Sequence, residues 1–279
     1  MKTFIMSSAN VRMPGIIYGT AWKKSETARL VAKAIGHGFR GIDTACQPKH
    51  YDEPGVGAGI AASLGGALSR ADLYLQTKFT PLSGQDPGRI PYDPNAPLPD
   101  QVAQSFATSL RNLQAAYLDC LVLHSPLARP EKTLEAWRAM ESLVQGGGVR
   151  QLGISNCYDL DQLEALHESA RIKPSVVQNR LYAETRYDRE IRAFCRERGV
   201  IYQSFWTLTA NPHIQNHAIV AGLASKHART PAQIFFRYLT QRGVVPLTGT
   251  RSEIHMREDL AIFEFELEEH ELEAMDPLL

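Results

Sequence analysis

The sequence predicts an α/β protein with a single (β/α)8 barrel, a TIM barrel, in which residues 1–279 form one domain. Short apolar runs of strand length alternate eight times with stretches of helical periodicity. The chain of 279 residues is close to the roughly 250 residues that such a barrel usually contains. No linker rich in proline, glycine or serine divides the chain, and no short repeat is present. We therefore expect one closed parallel barrel.

The predicted strands are short apolar runs, and several of them end at a polar residue. In chain order they cover residues 16–19, 40–45, 73–79, 118–124, 149–155, 175–179, 200–205 and 244–247. The carboxyl ends of the strands meet at one face of a parallel barrel, and active sites of such barrels lie there. Polar residues at these strand ends are therefore candidates for one common site.

Apolar spacing, caps and stop signals predict the helices. Ser25 is the predicted cap of the first helix, whose apolar face contains Ala28, Val31, Ala32 and Ile35. Further helices are predicted at residues 56–68, at 100–113 with Val102, Phe106, Leu110 and Leu113 on one face, at 134–143, after an Asp159–Gln162 cap, at 188–198, from Thr230, at 253–260 and at 268–275. The proline-rich loop 81–99 is longer than the roughly 12–15 residues of most structureless connections. We expect it to be a mobile lid that contributes Tyr92 to the substrate site.

Composition excludes several classes of protein. The formal net charge is +0 and the pI is about 7.1, so no excess of charge favours nucleic acid or an anionic membrane. The cysteines lack CxxC spacing, which indicates free thiols in a reducing compartment. No stretch approaches the roughly 18 apolar residues of a membrane span. We expect a soluble cytoplasmic protein, a monomer or weak homodimer, with a small molecule as its partner and neither nucleic acid nor membrane.

Three familiar motifs have weak support. Gly57-Ala58-Gly59 begins a match to the dinucleotide fingerprint, but that motif must directly follow a strand, and here it does not. Small residues for close helix–barrel packing explain it better. Cys46 and His50 do not amount to the four paired ligands of a structural zinc site, so we predict no metal. The sequence has no G-x-S-x-G, which argues against a serine hydrolase.

The candidate catalytic residues are Asp43, Tyr51, Lys78 and His124. The acid, the amine and the imidazole stand at or just after predicted strand ends, and the phenol follows the second strand in a polar loop. Each residue alone is better explained as a structural ion pair, a core histidine or a loop residue. Together, at one face of a barrel, they are the components of a proton-transfer site.

These residues carry a resemblance to the aldo-keto reductase family that extends over essentially the whole chain. Asp43-Thr44-Ala45, Tyr51, Glu53 and Val56-Gly57 resemble the family signature D-T-A-x-x-Y-x-N-E-x-x-V-G. Further matches are Thr77-Lys78, Leu121-Val122-Leu123-His124, Gly153-Ile154-Ser155-Asn156 and Val177-Gln178-Asn179. The family pattern has its tyrosine where Pro48 stands here, and Tyr51 is the nearest phenol.

The resemblance implies NADPH-dependent reduction of aldehydes and ketones, without a Rossmann fold. Tyr51 would be the general acid/base. A charged Lys78, held by Asp43, would lower the pKa of the Tyr51 phenol. His124 would donate a hydrogen bond to the carbonyl oxygen. The cofactor-binding residues implied by the resemblance are Gly19, Thr20, Ser155, Asn156, Gln178, Phe205, Trp206, Leu208, Thr250, Arg251 and Asp259. Substrate would contact Trp22, Tyr92 and Trp206.

Two other functions remain open from the sequence. One is a catalytically silent barrel of the same family that binds cofactor as a sensor or scaffold, which the displaced tyrosine favours. The other is a Schiff-base lyase with Lys78 as its nucleophile. That reaction needs a lysine of lowered pKa, whereas Asp43 beside it would raise the pKa.

Overall fold

The computed structural model describes residues 3–279 and contains a closed barrel of parallel strands. A two-stranded antiparallel hairpin comes first, with β1 at Phe4–Met6 and β2 at Arg12–Pro14. The barrel strands follow as β3 (Ile17–Gly19), β4 (Gly41–Asp43), β5 (Tyr74–Phe79), β6 (Cys120–Leu123), β7 (Leu152–Ser155), β8 (Val176–Arg180), β9 (Ile201–Phe205) and β10 (Val244–Thr248). Around the barrel their order is β10-β3-β4-β5-β6-β7-β8-β9. The predicted (β/α)8 barrel is confirmed.

The helices surround the barrel. They are α1 (Thr27–His37), α2 (Glu53–Ser63), α3 (Leu98–Leu113), α4 (Pro130–Gln145), α5 (Leu160–Ser169), α6 (Arg189–Arg198), α7 (Pro212–Gln215), α8 (Ala218–His227), α9 (Pro231–Gln241), α10 (Glu253–Leu260) and α11 (Glu269–Met275). At α5, Asp159 accepts a hydrogen bond from the backbone N–H of Gln162, as its predicted capping role requires. At α9, Thr230 and Gln233 form the reciprocal capping box that the sequence predicts.

Several helices begin at other residues than predicted, and α1 and α2 show why. The first helix begins at Thr27 after Glu26, and Ser25 lies in a short 3₁₀ turn and makes no cap. The second helix begins at Glu53, where the side chain of Asp52 accepts from the backbone N–H of Gly55. Proline near a helix start supplies a suitable φ and needs no N–H partner. Asp52-Glu53-Pro54 is therefore a helix start signal, which the prediction from apolar spacing did not use.

The sequence pattern did not identify the hairpin, α7 or α8. The hairpin lies at the amino-terminal end of the barrel, where Met13 is fully buried in the inner cluster of apolar side chains. Its strands have three residues each, too few for a clear alternation. In α8 only Val220 is buried, and a helix rich in alanine with one buried side chain has no apolar stripe to recognise.

Glycines allow α2 to pack closely against its neighbours. A Cβ at Gly57 would lie 2.2 Å from the carbonyl oxygen of Asn112 in α3, and one at Gly59 would lie 2.6 Å from that of Ala28 in α1. Distances this short exclude a side chain. The fingerprint-like run therefore serves close packing, as predicted, although the packing is between helices and not against the barrel.

The buried face of α3 is more polar than predicted. Its buried residues are Gln101, Val102, Ser105, Ser109 and Leu113, while Phe106 and Leu110 are only partly buried. The reason is a buried carboxylate beneath the helix: Ser109 donates to Glu53 at 2.9 Å. Burial of a carboxylate requires hydrogen-bond donors around it, so hydroxyls replace apolar groups on this face.

Candidate active site

A cavity of about 990 Å³ opens at the carboxyl-terminal ends of the barrel strands. Its wall includes most of the site residues that the sequence predicts: Gly19, Trp22, Asp43, Tyr51, His124, Ser155, Asn156, Gln178, Phe205, Trp206, Leu208, Thr250 and Asp259. Thr20, Lys78, Tyr92 and Arg251 are the predicted site residues that do not line it. The convergence follows from the parallel strands, which all end at this face.

A buried ion pair lies at the base of the cavity. Lys78 Nζ is 2.7 and 2.6 Å from the two carboxylate oxygens of Asp43, and both side chains are almost completely buried. The same nitrogen donates to the backbone carbonyl of Thr44 at 2.8 Å. An ammonium group has three donors, and these three acceptors match them. Burial lowers the pKa of Lys78, and the charge of Asp43 opposes that effect.

Glutamine side chains from neighbouring strands hold the Asp43 carboxylate from the other side. Gln76 and Gln178 each donate to Asp43 Oδ1, at 2.7 and 3.0 Å. Both also donate to Gln203 Oε1 at 2.9 Å. The sequence did not indicate Gln76 or Gln203, because they lie inside β5 and β9 and not at the strand ends, where site residues are expected. Together these amides fix the orientation of Asp43, and with it that of Lys78.

Tyr51 lies above this pair and next to His124. Lys78 Nζ is 5.3 Å from the centre of the Tyr51 ring, and the Tyr51 and His124 ring centres are 6.0 Å apart. Burial, followed by the charge of Asp43, raises the pKa of Tyr51 above its usual value near 10. The expected lowering by Lys78 is therefore wrong for this structure. The physical reason is that burial disfavours the charged phenolate, and the negative charge of Asp43 counters that of the Lys78 ammonium paired with it.

His124 is held by a hydroxyl that the sequence did not indicate. Its Nδ1 lies 2.6 Å from Thr80 Oγ1. Burial lowers the pKa of His124 well below 6.5, with the charges of Lys78 and His50 adding to the effect, so the imidazole is neutral at neutral pH. A neutral imidazole has one N–H, and a hydroxyl that donates to Nδ1 leaves that hydrogen on Nε2. Nε2 is then the donor available to a ligand.

The long loop after β5 does not provide the expected lid. Tyr92 is buried, outside the cavity, and its hydroxyl donates to the backbone carbonyl of Thr80 at 2.8 Å. Gln85 donates to the same carbonyl at 3.1 Å, and Gln47 donates to Gly84 at 2.6 Å. Tyr92 therefore does not line the cavity in this structure, contrary to its predicted place in the substrate site. The loop is fastened to the barrel and supports Thr80 from behind.

Cationic residues lie near the loop after β10. Lys23 is buried in the cavity wall and donates to the backbone carbonyl of Gly249. Its pKa is lowered to about 8, mainly by burial and then by the charge of Arg251. Arg251 lies outside the lining and donates to the backbone carbonyl of Trp22 at 2.6 Å. Lys23 was not among the predicted site residues, although a lysine directly after Trp22 in the loop following the first barrel strand is a signal for a site residue.

Other predicted cofactor residues have internal partners. Thr20 is buried and donates to the backbone carbonyl of Asp43 at 2.9 Å. Ser155 donates to the carbonyl of Gln178 at 2.6 Å, and Asn156 donates to the carbonyl of His124 at 2.8 Å. Asp259 accepts from Thr248 at 2.7 Å, and burial raises its pKa to about 6. These contacts fix the strand ends around the cavity.

Three residues of the cavity wall have left-handed backbone conformations. The φ angles are 62° at Trp22, 52° at Asn156 and 56° at Trp206. For a bulky residue this region is rare and costs about 1–3 kcal/mol, and such residues cluster at functional sites. Both tryptophans are about half exposed, at 50% and 48%. Two half-exposed tryptophans with strained backbones therefore flank the cavity, and other left-handed residues, such as Arg186 and Tyr187, lie outside its lining.

The fold and the site define the protein's class: it is an NAD(P)H-dependent oxidoreductase that acts on carbonyl groups. More specifically, the chain belongs to the aldo/keto reductase family, whose family model matches residues 15–279. It is 30% identical over 254 residues to the glyoxal reductase of Bacillus subtilis. This alignment covers 91% of the present chain and 84% of the glyoxal reductase. The sequence resemblance to this family is thus confirmed.

Solved structures agree with the family assignment. The crystal structure of an aldo/keto reductase from Brucella melitensis superposes with a TM-score of 0.84 at 26% identity, and covers 99% of both chains. The structure of a Bombyx mori aldo-keto reductase in complex with NADP has a TM-score of 0.83 at 25% identity, and covers 98% of this chain and 92% of that one. Within residues 3–279, no helix has the length and apolar character needed to cross a membrane.

Proposed function

We propose that this protein reduces small aldehydes and ketones with NADPH, with Tyr51 as the general acid. The observation that carries the proposal is the buried Asp43–Lys78 ion pair at the base of the cavity that Tyr51 and His124 line. A small carbonyl substrate is supported by the similarity to a glyoxal reductase.

The cavity wall has groups suited to a nicotinamide dinucleotide. Gln178 Oε1 accepts no hydrogen bond from any residue of 3–279, so it is free to accept one from the carboxamide. Phe205 and Trp206 offer aromatic faces at the end of β9. Lys23 and Arg251 supply positive charge for the phosphates near the start of α10. We propose that these residues, with Ser155, Asn156 and Thr250, hold the cofactor, which supplies the hydride when bound.

The residues of the chain would then handle the oxygen of the substrate. Tyr51 remains a protonated phenol at neutral pH because its pKa is raised. It donates this proton to the carbonyl oxygen as negative charge develops there. His124, neutral and protonated at Nε2, donates a hydrogen bond to the same oxygen. Asp43 holds Lys78 in place below, and the ammonium, 5.3 Å from the centre of the Tyr51 ring, would offset part of the cost that burial imposes on the phenolate left on Tyr51.

The geometry of Lys78 argues against a Schiff-base lyase. That chemistry needs an unprotonated amine that can reach a carbonyl carbon. Here the nitrogen is buried beneath the cavity and donates to Asp43 and Thr44. Borohydride trapping in the presence of substrate would reveal a covalent adduct if this argument were wrong.

Tyr51→Phe tests the proposed role of the phenol. The variant keeps the ring and removes the proton donor, so kcat should fall by about 10²- to 10⁴-fold, the usual contribution of general acid catalysis. The NADPH Kd, measured by fluorescence titration, should not change. Tyr117→Phe is the matched control, because Tyr117 stacks between Arg70 and Arg150, outside the cavity. Near-normal turnover of Tyr51→Phe would show that the general acid lies elsewhere.

A further inference from the structure

Arg180 supplies the cavity wall with a cation that has no carboxylate partner. It ends β8, two positions after Gln178, and lines the same cavity as Tyr51 and His124. Within residues 3–279 no aspartate or glutamate forms an ion pair with its guanidinium. Its Nε is buried and donates to no acceptor in the described part of the chain. A buried donor without a partner costs free energy, which a ligand oxygen at this position would recover.

Two aromatic rings hold the guanidinium. Its central carbon is 4.2 Å from the centre of the Trp206 ring and 5.1 Å from that of Tyr182. Stacking occupies the face of a guanidinium and leaves the N–H groups at its edge free to donate. Arg180 is thus oriented by its neighbours without losing its capacity to bind an anion.

Trp206 presents its indole to Arg180 from a strained backbone. Its φ of 56° lies in the left-handed region, and 48% of the residue remains exposed. Burial of the indole therefore gives little compensation for the strain. Strained residues of this kind are found at ligand clamps, where the conformation is needed for binding.

The acidic side chains that line the cavity, Asp43, Glu258 and Asp259, lie on other elements than Arg180. Asp43 is paired with Lys78, and Asp259 accepts a hydrogen bond from Thr248. Glu258 also belongs to α10, whose Glu253 pairs with Lys33, whereas Arg180 ends β8. Arg180, on β8, is therefore a separate positive position in the wall.

We propose that Arg180, stacked on Trp206, binds an oxyanion group of a ligand in this cavity, either a carboxylate or a phosphate. The planar fork of N–H donors matches both groups in bidentate fashion. The anion has two possible sources: the carboxylate of a carbonyl substrate, such as an oxo acid or a formyl acid, or the diphosphate of the cofactor. The substrate source rests on the proposed function, whereas anion binding by Arg180 does not.

Binding measurements on Arg180→Met test the proposal, because methionine keeps an apolar stem against Trp206 and removes the charge. One arm titrates NADPH. The other titrates 4-formylbenzoate and its neutral methyl ester against protein saturated with NADP+. Loss of a charged hydrogen-bonded contact should raise the Kd of one of the two anionic ligands by about 10- to 100-fold. The arm that weakens identifies the source, and binding of the ester should stay within about twofold.

Arg180→Lys and the melting temperature complete the design. Lysine keeps the charge without the planar fork, so it should restore part of the affinity that methionine loses. Unchanged affinity for both anions, in a variant that melts like the unmodified protein, would overturn the proposal. An equal loss of affinity for 4-formylbenzoate and for its ester, with an unchanged NADPH Kd, would overturn the proposal too. Turnover of the ester by the unmodified protein reports on the proposed reductase separately, since the titrations do not depend on turnover.

Discussion

Replacing Thr80 with valine would test whether its hydroxyl determines which nitrogen of His124 carries the hydrogen. Thr80 Oγ1 is 2.6 Å from Nδ1, and the pKa of His124 is lowered so far that the ring is neutral in the working range. Valine has nearly the same shape as threonine and cannot donate. Without the hydroxyl, the hydrogen is free to move to Nδ1, and a substrate oxygen would then face a lone pair on Nε2.

The size of the effect follows from the bond that is lost. A hydrogen bond of this kind contributes about 0.5–1.5 kcal/mol net, which corresponds to about a 2- to 13-fold change in rate. Complete loss of a donor to a developing oxyanion costs about 10²- to 10³-fold. Thr80→Val should fall between these limits, so we expect a decrease in kcat/KM of about 10- to 100-fold. The NADPH Kd should be unaffected, because Thr80 acts through His124.

The assay is steady-state reduction of a small aldehyde at saturating NADPH, with Thr80→Ser as the matched control. Serine keeps the donor, so kcat/KM should return to within about threefold of the unmodified protein. Melting temperatures of both variants would separate catalysis from folding. If valine has no effect, or if serine loses as much activity as valine, the hydroxyl does not position His124.

Two further predictions concern the cofactor. Arg251→Ala should raise the NADPH Kd by about 10-fold or more and leave the NADH Kd unchanged, because a guanidinium binds the 2′-phosphate that only NADPH carries; equal Kd values for the two cofactors in the unmodified protein would contradict this. The NADPH Kd should also rise as the pH increases through about 8, where Lys23 loses its charge. The pKa of Lys23 lies below its usual value, so the charged form that attracts phosphate is complete only below that pH. Lys23→Met should make the Kd higher and independent of pH in this range, and a persistent break near pH 8 would assign it to another group.

The sequence located three of the four candidate catalytic residues through the geometry of the barrel. Asp43 and Lys78 lie in β4 and β5, and His124 directly follows β6. Parallel strands all end at one face, so the alternation of strands and helices is enough to bring these side chains together. Tyr51 was included as the phenol in the polar loop after the second predicted strand, and the resemblance supplied its role, because a loop position alone predicts no contact.

The residues that the sequence missed depend on contacts between distant segments. In the sequence Thr80 resembles an ordinary loop residue. In the structure its hydroxyl contacts His124 Nδ1, and its backbone carbonyl accepts a hydrogen bond from Tyr92. A tyrosine on a long proline-rich loop has the same local pattern whether it covers a site or anchors the loop. Arg180 is notable because it stacks on Trp206 and, within residues 3–279, forms no ion pair with an acidic side chain. Local periodicity contains none of this information, because partners in a barrel come from strands far apart in the chain.

The raised pKa of Tyr51 changes the physical account of its acidity. From sequence, a lysine beside a phenol predicts a lowered pKa, since a positive charge favours the phenolate. In the structure Lys78 has three acceptors for its three donors, and its charge is balanced by Asp43. Burial then dominates, and the phenol holds its proton. Reduction requires that proton at the moment when the carbonyl oxygen becomes negative. An acid that stays protonated throughout the working pH range meets this requirement, and the Lys78 ammonium would offset only part of the cost of the phenolate that remains.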